Sequence, residues 1–181
     1  GTDNSGNGCL VNQHLIENGH SRIGFVGLDT LINVKERKTG YLEAMMEHGL
    51  PIKDEWIQLG GLSADAGYQL MEGCLDSEIT AVVFGHHILA EGGIRLIREK
   101  ALRIPEEISI IIIGTPSWTQ NNVPRFTCIN QSERRIGELA GEILLEKVSG
   151  KTDSGSWQRK EIACEVLIGD SVKKLNKLEE I

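Results

Sequence analysis

His14-Leu15-Ile16-Glu17-Asn18-Gly19-His20-Ser21-Arg22-Ile23-Gly24-Phe25-Val26-Gly27 is the stretch that decides the fold. Its first half reads as the last turns of a helix. Gly19 reads as the stop, because the residue just past a helix often takes a left-handed conformation that glycine adopts without steric cost. Residues 22–27 are mostly apolar and too few for a buried helix, so they predict a strand covered on both faces. A helix, a glycine and a buried strand make an α/β unit already under way at residue 1. The chain is therefore expected to be a piece of a larger protein.

Working outward, the same alternation repeats. Residues 34–48 predict a helix with Tyr41, Leu42, Ala44 and Met45 on its apolar stripe and Gly49 as its stop. Residues 56–59 predict a short strand, and 65–75 a helix with Ser63 as N-cap. A strand over 81–84 and a helix over 88–100 follow. Residues 108–113 hold five isoleucines in six positions, a composition that needs burial on both faces of a sheet. Residues 116–124 read as a polar loop and 127–130 as a short strand. An amphipathic helix is expected over 131–149, with Ile136, Leu139, Ala140, Ile143 and Leu144 at helical spacing and Gly150 at its end. Residues 151–156 read as a polar turn, 161–168 as a last strand, and the lysine-rich tail is expected to fray. Strands alternating with helices predict an α/β fold, a doubly wound parallel sheet with right-handed crossovers.

Composition narrows the function. A net charge of −7 does not suit a nucleic-acid surface, since phosphate contact needs a basic face. Any DNA contact must lie outside this segment. Cys9, Cys74, Cys128 and Cys164 are far apart in sequence and form no metal-ligand spacing, so free thiols in a reducing, cytoplasmic compartment are expected. No apolar run reaches the ~18 residues of a membrane span. No nucleophile elbow or phosphate-binding Gly-rich loop with Lys is present, so no enzyme, cofactor or metal is expected.

An ordered series of short segments carries a resemblance. It comprises Asp3-Asn4, the His14–Phe25 stretch, Arg37-Lys38-Thr39-Gly40-Tyr41, Thr80-Ala81-Val82-Val83-Phe84, Ala90-Glu91-Gly92, Ile104-Pro105-Glu106-Glu107-Ile108-Ser109-Ile110, Val123-Pro124-Arg125-Phe126-Thr127, Gln131, Gly137-Glu138-Leu139-Ala140 and Gly169-Asp170-Ser171-Val172. Taken in order, these resemble the effector-binding core of the lactose/galactose repressor family of bacterial transcription regulators. The resemblance implies a periplasmic-binding-protein-like type I fold with two lobes. It implies a C-terminal effector-binding lobe at 19–130 and 161–172, and remnants of an N-terminal lobe at 1–18 and 131–150. A tail at 173–181 would follow. The two remnant helices are then expected to show uncovered apolar faces. It also implies a missing N-terminal helix-turn-helix for operator DNA, a small sugar or phosphorylated sugar as effector, and a homodimer. The dimer candidates are the helix over 88–98, with Leu89, Ile94 and Leu96, and the Trp118 loop. The alternative is a solute-binding protein of a sugar transport system, which shares this two-lobed fold but is exported.

In a parallel α/β sheet, ligands bind beyond the carboxyl ends of the strands. That rule selects the loops holding Arg37, Leu62, His86-His87 and Thr115. Arg37 reads either as a ligand clamp, through its fork of donors, or as a surface partner of Glu36 or Glu43. In the resembling family, the arginine at its place contacts the effector. His86 and His87 read as ligand contact, as helix-entry packing, or as metal or catalytic groups. Adjacent residues near a strand end point apart, which argues against one shared metal. The family's usual carboxylates and aromatic ring are replaced by His86-His87, Thr115 and Leu62. Trp118 is expected near the mouth, as a substitute ring or as an interface residue.

Overall fold

The computed structural model describes residues 1–122, 124–149 and 160–175. Six strands form one sheet in the order β2-β1-β3-β4-β5-β6, with β1 at Ile23–Leu28, β2 at Ile57–Gly60, β3 at Ala81–Phe84, β4 at Ser109–Ile113, β5 at Thr127–Asn130 and β6 at Glu165–Leu167. The first five are mutually parallel. The sheet departs from the all-parallel expectation at its edge, where β6 runs antiparallel to β5 and pairs Cys128 with Leu167 and Asn130 with Glu165. An edge strand can take either direction, because it satisfies only one neighbour's ladder. The 151–156 turn and the Gly150 stop fall outside the described residues.

The helices are α1 at Asn4–Glu17, α2 at Ile32–Glu47, α3 at Ala64–Leu75, α4 at His87–Glu99, α5 at Ser117–Asn121 and α6 at Glu133–Val148. The first of these starts where Asp3 Oδ1 accepts from the Gly6 amide at 2.8 Å, and it ends before Gly19, which has φ +91°. Ser63 caps α3 by accepting from the Ala66 amide. The loop expected over 116–124 instead contains the short helix α5, started by Pro116 with its fixed φ.

Every residue of β1, β3 and β4 is buried. Both faces of the sheet are therefore covered: α1 packs with α2, and α3 with α4. Each pair meets backbone to backbone at glycines. A Cβ on Gly8 would lie 2.0 Å from the Arg37 carbonyl oxygen, and one on Gly40 would lie 1.9 Å from that of Ser5. Gly67 and Gly92 make the matching approach between α3 and α4. This packing corrects the expectation for residues 1–18. Helix α1 has no uncovered apolar face, because Val11 and Leu15 are fully buried in the common core. Helix α6, by contrast, has no buried residue.

The expected fraying after Ser171 is absent from residues 171–175. Ser171 is buried, and its Oγ donates to the Ile110 carbonyl at 2.6 Å. The Lys173 amide donates to Ser109 Oγ and the Leu175 amide to the Asn18 carbonyl. The buried His20 ring sits between Thr80 Oγ1 and the Lys173 carbonyl. Residues 176–181 fall outside the description. Among the described residues, no helix is long and apolar enough to cross a membrane.

Candidate functional site

In the order 2-1-3-4-5, the chain leaves β1 for one neighbour, β2, and returns to β3 on the other side. The crevice at that reversal, beyond the carboxyl ends of the strands, is where this topology opens a ligand site. A cavity of about 320 Å³ lies there, lined by Asn33, Arg37, His86, His87, Ile113, Gly114, Thr115, Pro116, Gln131 and Glu133. Each group follows the end of a strand. Asn33 and Arg37 come from the start of α2 after β1. The histidines come from the β3–α4 junction, Gly114 to Pro116 from the β4–α5 junction, and Gln131 and Glu133 from the start of α6 after β5.

Arg37 is neither a surface residue nor paired with Glu43. It is 3% exposed, and its Nη1 donates to the Gly85 carbonyl at 2.7 Å. Its Nε has no partner. Burial lowers its pKa to about 10, so it remains a cation at neutral pH. Glu36, the other expected partner, accepts from Asn4 Nδ2 on α1 at 2.9 Å. Glu43 accepts from Ser5 Oγ.

The two histidines do not point apart. Their rings stack with centroids 4.5 Å apart, because the strand ends at Phe84 and helical geometry has taken over by His87. His86 is the N-cap of α4, and its Nδ1 accepts from the Ile88 amide at 3.3 Å. In the neutral ring that bond leaves the proton on Nε2, so His86 presents a donor. Burial, then the neighbouring His87 and Arg37, push its pKa down to about 4. Gly114 holds φ +118°, a conformation that favours glycine. A Cβ there would lie 3.3 Å from His87 Nδ1.

The family can be settled on comparison. The model of the periplasmic binding protein-like domain matches residues 12–172. The chain belongs to this periplasmic binding protein-like family. The domain is 34% identical to the HTH-type transcriptional repressor PurR of Mannheimia succiniciproducens, over 93% of this chain and 51% of that protein. It is 37% identical to the PurR of Actinobacillus pleuropneumoniae, over 94% of this chain and 52% of that one. The chain thus spans about half the length of these relatives. Among solved structures, a LacI family transcriptional regulator from Enterococcus faecium with bound ribose superposes with a TM-score of 0.86. It is 27% identical, over 97% of this chain and 65% of that one. A LacI family regulator from Mycobacterium smegmatis gives 0.83 at 28% identity, over 96% of this chain and 65% of that one. Each of these relatives is described as a transcriptional regulator.

Of the expected site residues, the domain brings together Arg37, His86, His87 and Thr115, and leaves out Leu62 and Trp118. Leu62 follows β2 at the sheet edge, where it is 47% exposed and away from the cavity. Trp118 turns toward α4: its Nε1 donates to Glu91 Oε1 at 3.0 Å, and its ring meets Phe126 edge-on. With Glu91, Ile94, Arg98 and Asn122 it lines a separate cavity of about 360 Å³. The interface candidates Leu89, Ile94 and Leu96 are buried in the core. Sequence reading passed over Asn33, Gln131 and Glu133. Gln131 and Glu133 stand in a segment assigned to the other lobe, and only the parallel placement of β5 brings them to the cavity rim.

Proposed function

We propose that this domain is the effector-sensing and dimerisation part of a DNA-binding transcriptional repressor of the lactose/galactose repressor type. It takes a small sugar-like or phosphorylated metabolite between two lobes. The observation that carries this reading is the 34–37% identity to two PurR repressors along 93–94% of the chain. The described sheet with α1 to α4 makes up one lobe, and α6 belongs to the other. In support, Leu144, Leu145 and Val148 on α6 are 62%, 70% and 79% exposed. They form an apolar face that the remaining lobe would cover.

Effector binding then acts as a population shift. A ligand that prefers one closure angle of the lobes biases the spacing of two DNA-reading heads in a homodimer. Arg37 clamps the ligand, and His86, His87 and Thr115 shape the adjoining wall. The acidic character of the chain leaves DNA contact to a separate helix-turn-helix segment in the same cytoplasmic protein. The coding DNA upstream of Gly1 tests the reading. About 150 codons opening with a helix-turn-helix pattern are expected. A secretion leader followed by half a lobe would overturn it.

A further inference from the structure

A strained backbone position stands where β5 hands over to α6. Among the described residues, two that are not glycine have positive φ, Ala101 and Ser132. Ala101 directly follows the C-cap of α4, a place where the left-handed conformation is ordinary. Ser132 instead precedes a helix, with φ 52° and ψ 46°. The residues that precede α1 to α5 (Asp3, Leu31, Ser63, His86 and Pro116) are all extended, as is usual at the start of a helix. No helix-end rule therefore calls for a left-handed turn at Ser132. Such a residue is disfavoured and persists only where its surroundings hold it. Asn130 does the holding. Its Oδ1 accepts from the Ser132 amide at 3.0 Å, and its Nδ2 donates at 3.2 Å to Oε1 of Glu165, its register partner on β6.

In this conformation the Ser132 side chain gives α6 no cap. Serine is nonetheless among the residues best suited to cap a helix, and Ser63 does so for α3 by accepting from the Ala66 amide at 3.0 Å. We propose that Ser132 is a two-state switch: left-handed and held by Asn130 in one state, extended and capping α6 through its own Oγ in the other. The exchange gives up one hydrogen bond for another and releases the backbone strain, which keeps the two states close in energy. The switch has two outputs. Helix α6 has no buried residue, so the turn at Ser132 sets its direction relative to the sheet. Gln131 and Glu133 flank Ser132 and line the cavity, so the same turn moves one wall of it. A ligand that fits one position of that wall better than the other then biases the direction of α6. The consequence for lobe closure rests on reading α6 as part of the other lobe.

Pulsed electron-spin distance measurement on the full-length protein tests the proposal, with nitroxides on Gly141→Cys in α6 and Met46→Cys at the end of α2. Both positions are open: Met46 is 61% exposed, and a Cβ on Gly141 meets nothing within 4 Å. Cys9→Ser and Cys164→Ser confine the labels to these two sites. Ser132→Thr keeps the capping hydroxyl but, being β-branched, resists the left-handed turn. It should raise the ratio of a second distance to that of the described orientation at least about fivefold. Ser132→Gly takes the left-handed turn without strain and carries no capping oxygen, so it should leave the described distance alone. Asn130→Ala removes the holding bond and should act like Ser132→Thr. The proposal is overturned if Ser132→Thr or Asn130→Ala reproduces the wild-type distances, or if Ser132→Gly shifts them as Ser132→Thr does. The upstream coding sequence judges the repressor reading separately. A helix-turn-helix protein whose α6 ignores these changes refutes the switch alone, and an exported protein that responds to them refutes the repressor alone.

Discussion

Gly8→Ala is the sharpest test of how this domain is held together. The added methyl would lie 2.0 Å from the Arg37 carbonyl oxygen, 2.8 Å from its carbon and 3.0 Å from its Cα. All three are backbone atoms, so no side-chain rotation relieves the clash. Reaching ordinary contact requires α1 and α2 to separate by about 1.5 Å locally. That loosens the packing of Val11 and Leu15 over the sheet. Overpacking of this kind costs roughly 1–3 kcal/mol, and the intrinsic gain from alanine over glycine in a helix offsets only about 1 kcal/mol of the strain. The matched control is Gly141→Ala on α6, where an added Cβ meets nothing within 4 Å. There the propensity gain acts alone, and stability should rise by about 0.5–1 kcal/mol. Urea unfolding followed by circular dichroism reads both variants. Gly8→Ala should lower the midpoint without changing the slope, and Gly141→Ala should raise it. Equal or greater stability for Gly8→Ala would falsify the argument that α1 is locked to α2 by backbone contact.

Protonation supplies a second expectation. His86 has a pKa near 4 in the fold, lowered by burial and then by His87 and Arg37, against ~6.5 in the unfolded chain. Between these values the unfolded state binds the proton and the fold does not, so stability falls as pH drops from about 6.5 toward about 4. His14 is lowered by burial in the same sense. His86→Asn keeps a side-chain acceptor at the N-cap and removes that titration. Its stability should decline less over this interval in pH-dependent thermal melts, and an unchanged slope would refute the assignment. Thiol labelling provides a third. Burial pushes Cys74 up to about 12 and raises Cys128 as well, and both are buried, whereas Cys9 and Cys164 are half-buried. A disulfide reagent at pH 8 should label Cys9 and Cys164 first and reach Cys74 and Cys128 only on unfolding. Early labelling of Cys74 would contradict the packing of α3 on β1.

The periodic parts of the domain were legible in the sequence alone. The isoleucines at 110–113, the apolar run ending at Gly27 and the stops at Gly19 and Gly49 each express a local rule. Burial on both faces needs unbroken apolar residues, and helix ends need a residue tolerant of positive φ. The rule that ligands lie beyond the strand ends also selected Arg37, His86, His87 and Thr115, which line one cavity. Tertiary structure alone decided the rest, because the causes are contacts between residues distant in sequence. Nothing near Gly8 in the chain reveals that it faces Arg37, so α1 could not be assigned to the sheet from its own residues. Leu62 and Trp118 follow strand ends like the true lining residues, but β2 lies at the sheet edge and Trp118 is held by Glu91. Gln131 and Glu133 reach the cavity only because β5 runs parallel to β4. The direction of β6 was set by its one neighbour, a pairing that no local pattern in 161–168 records.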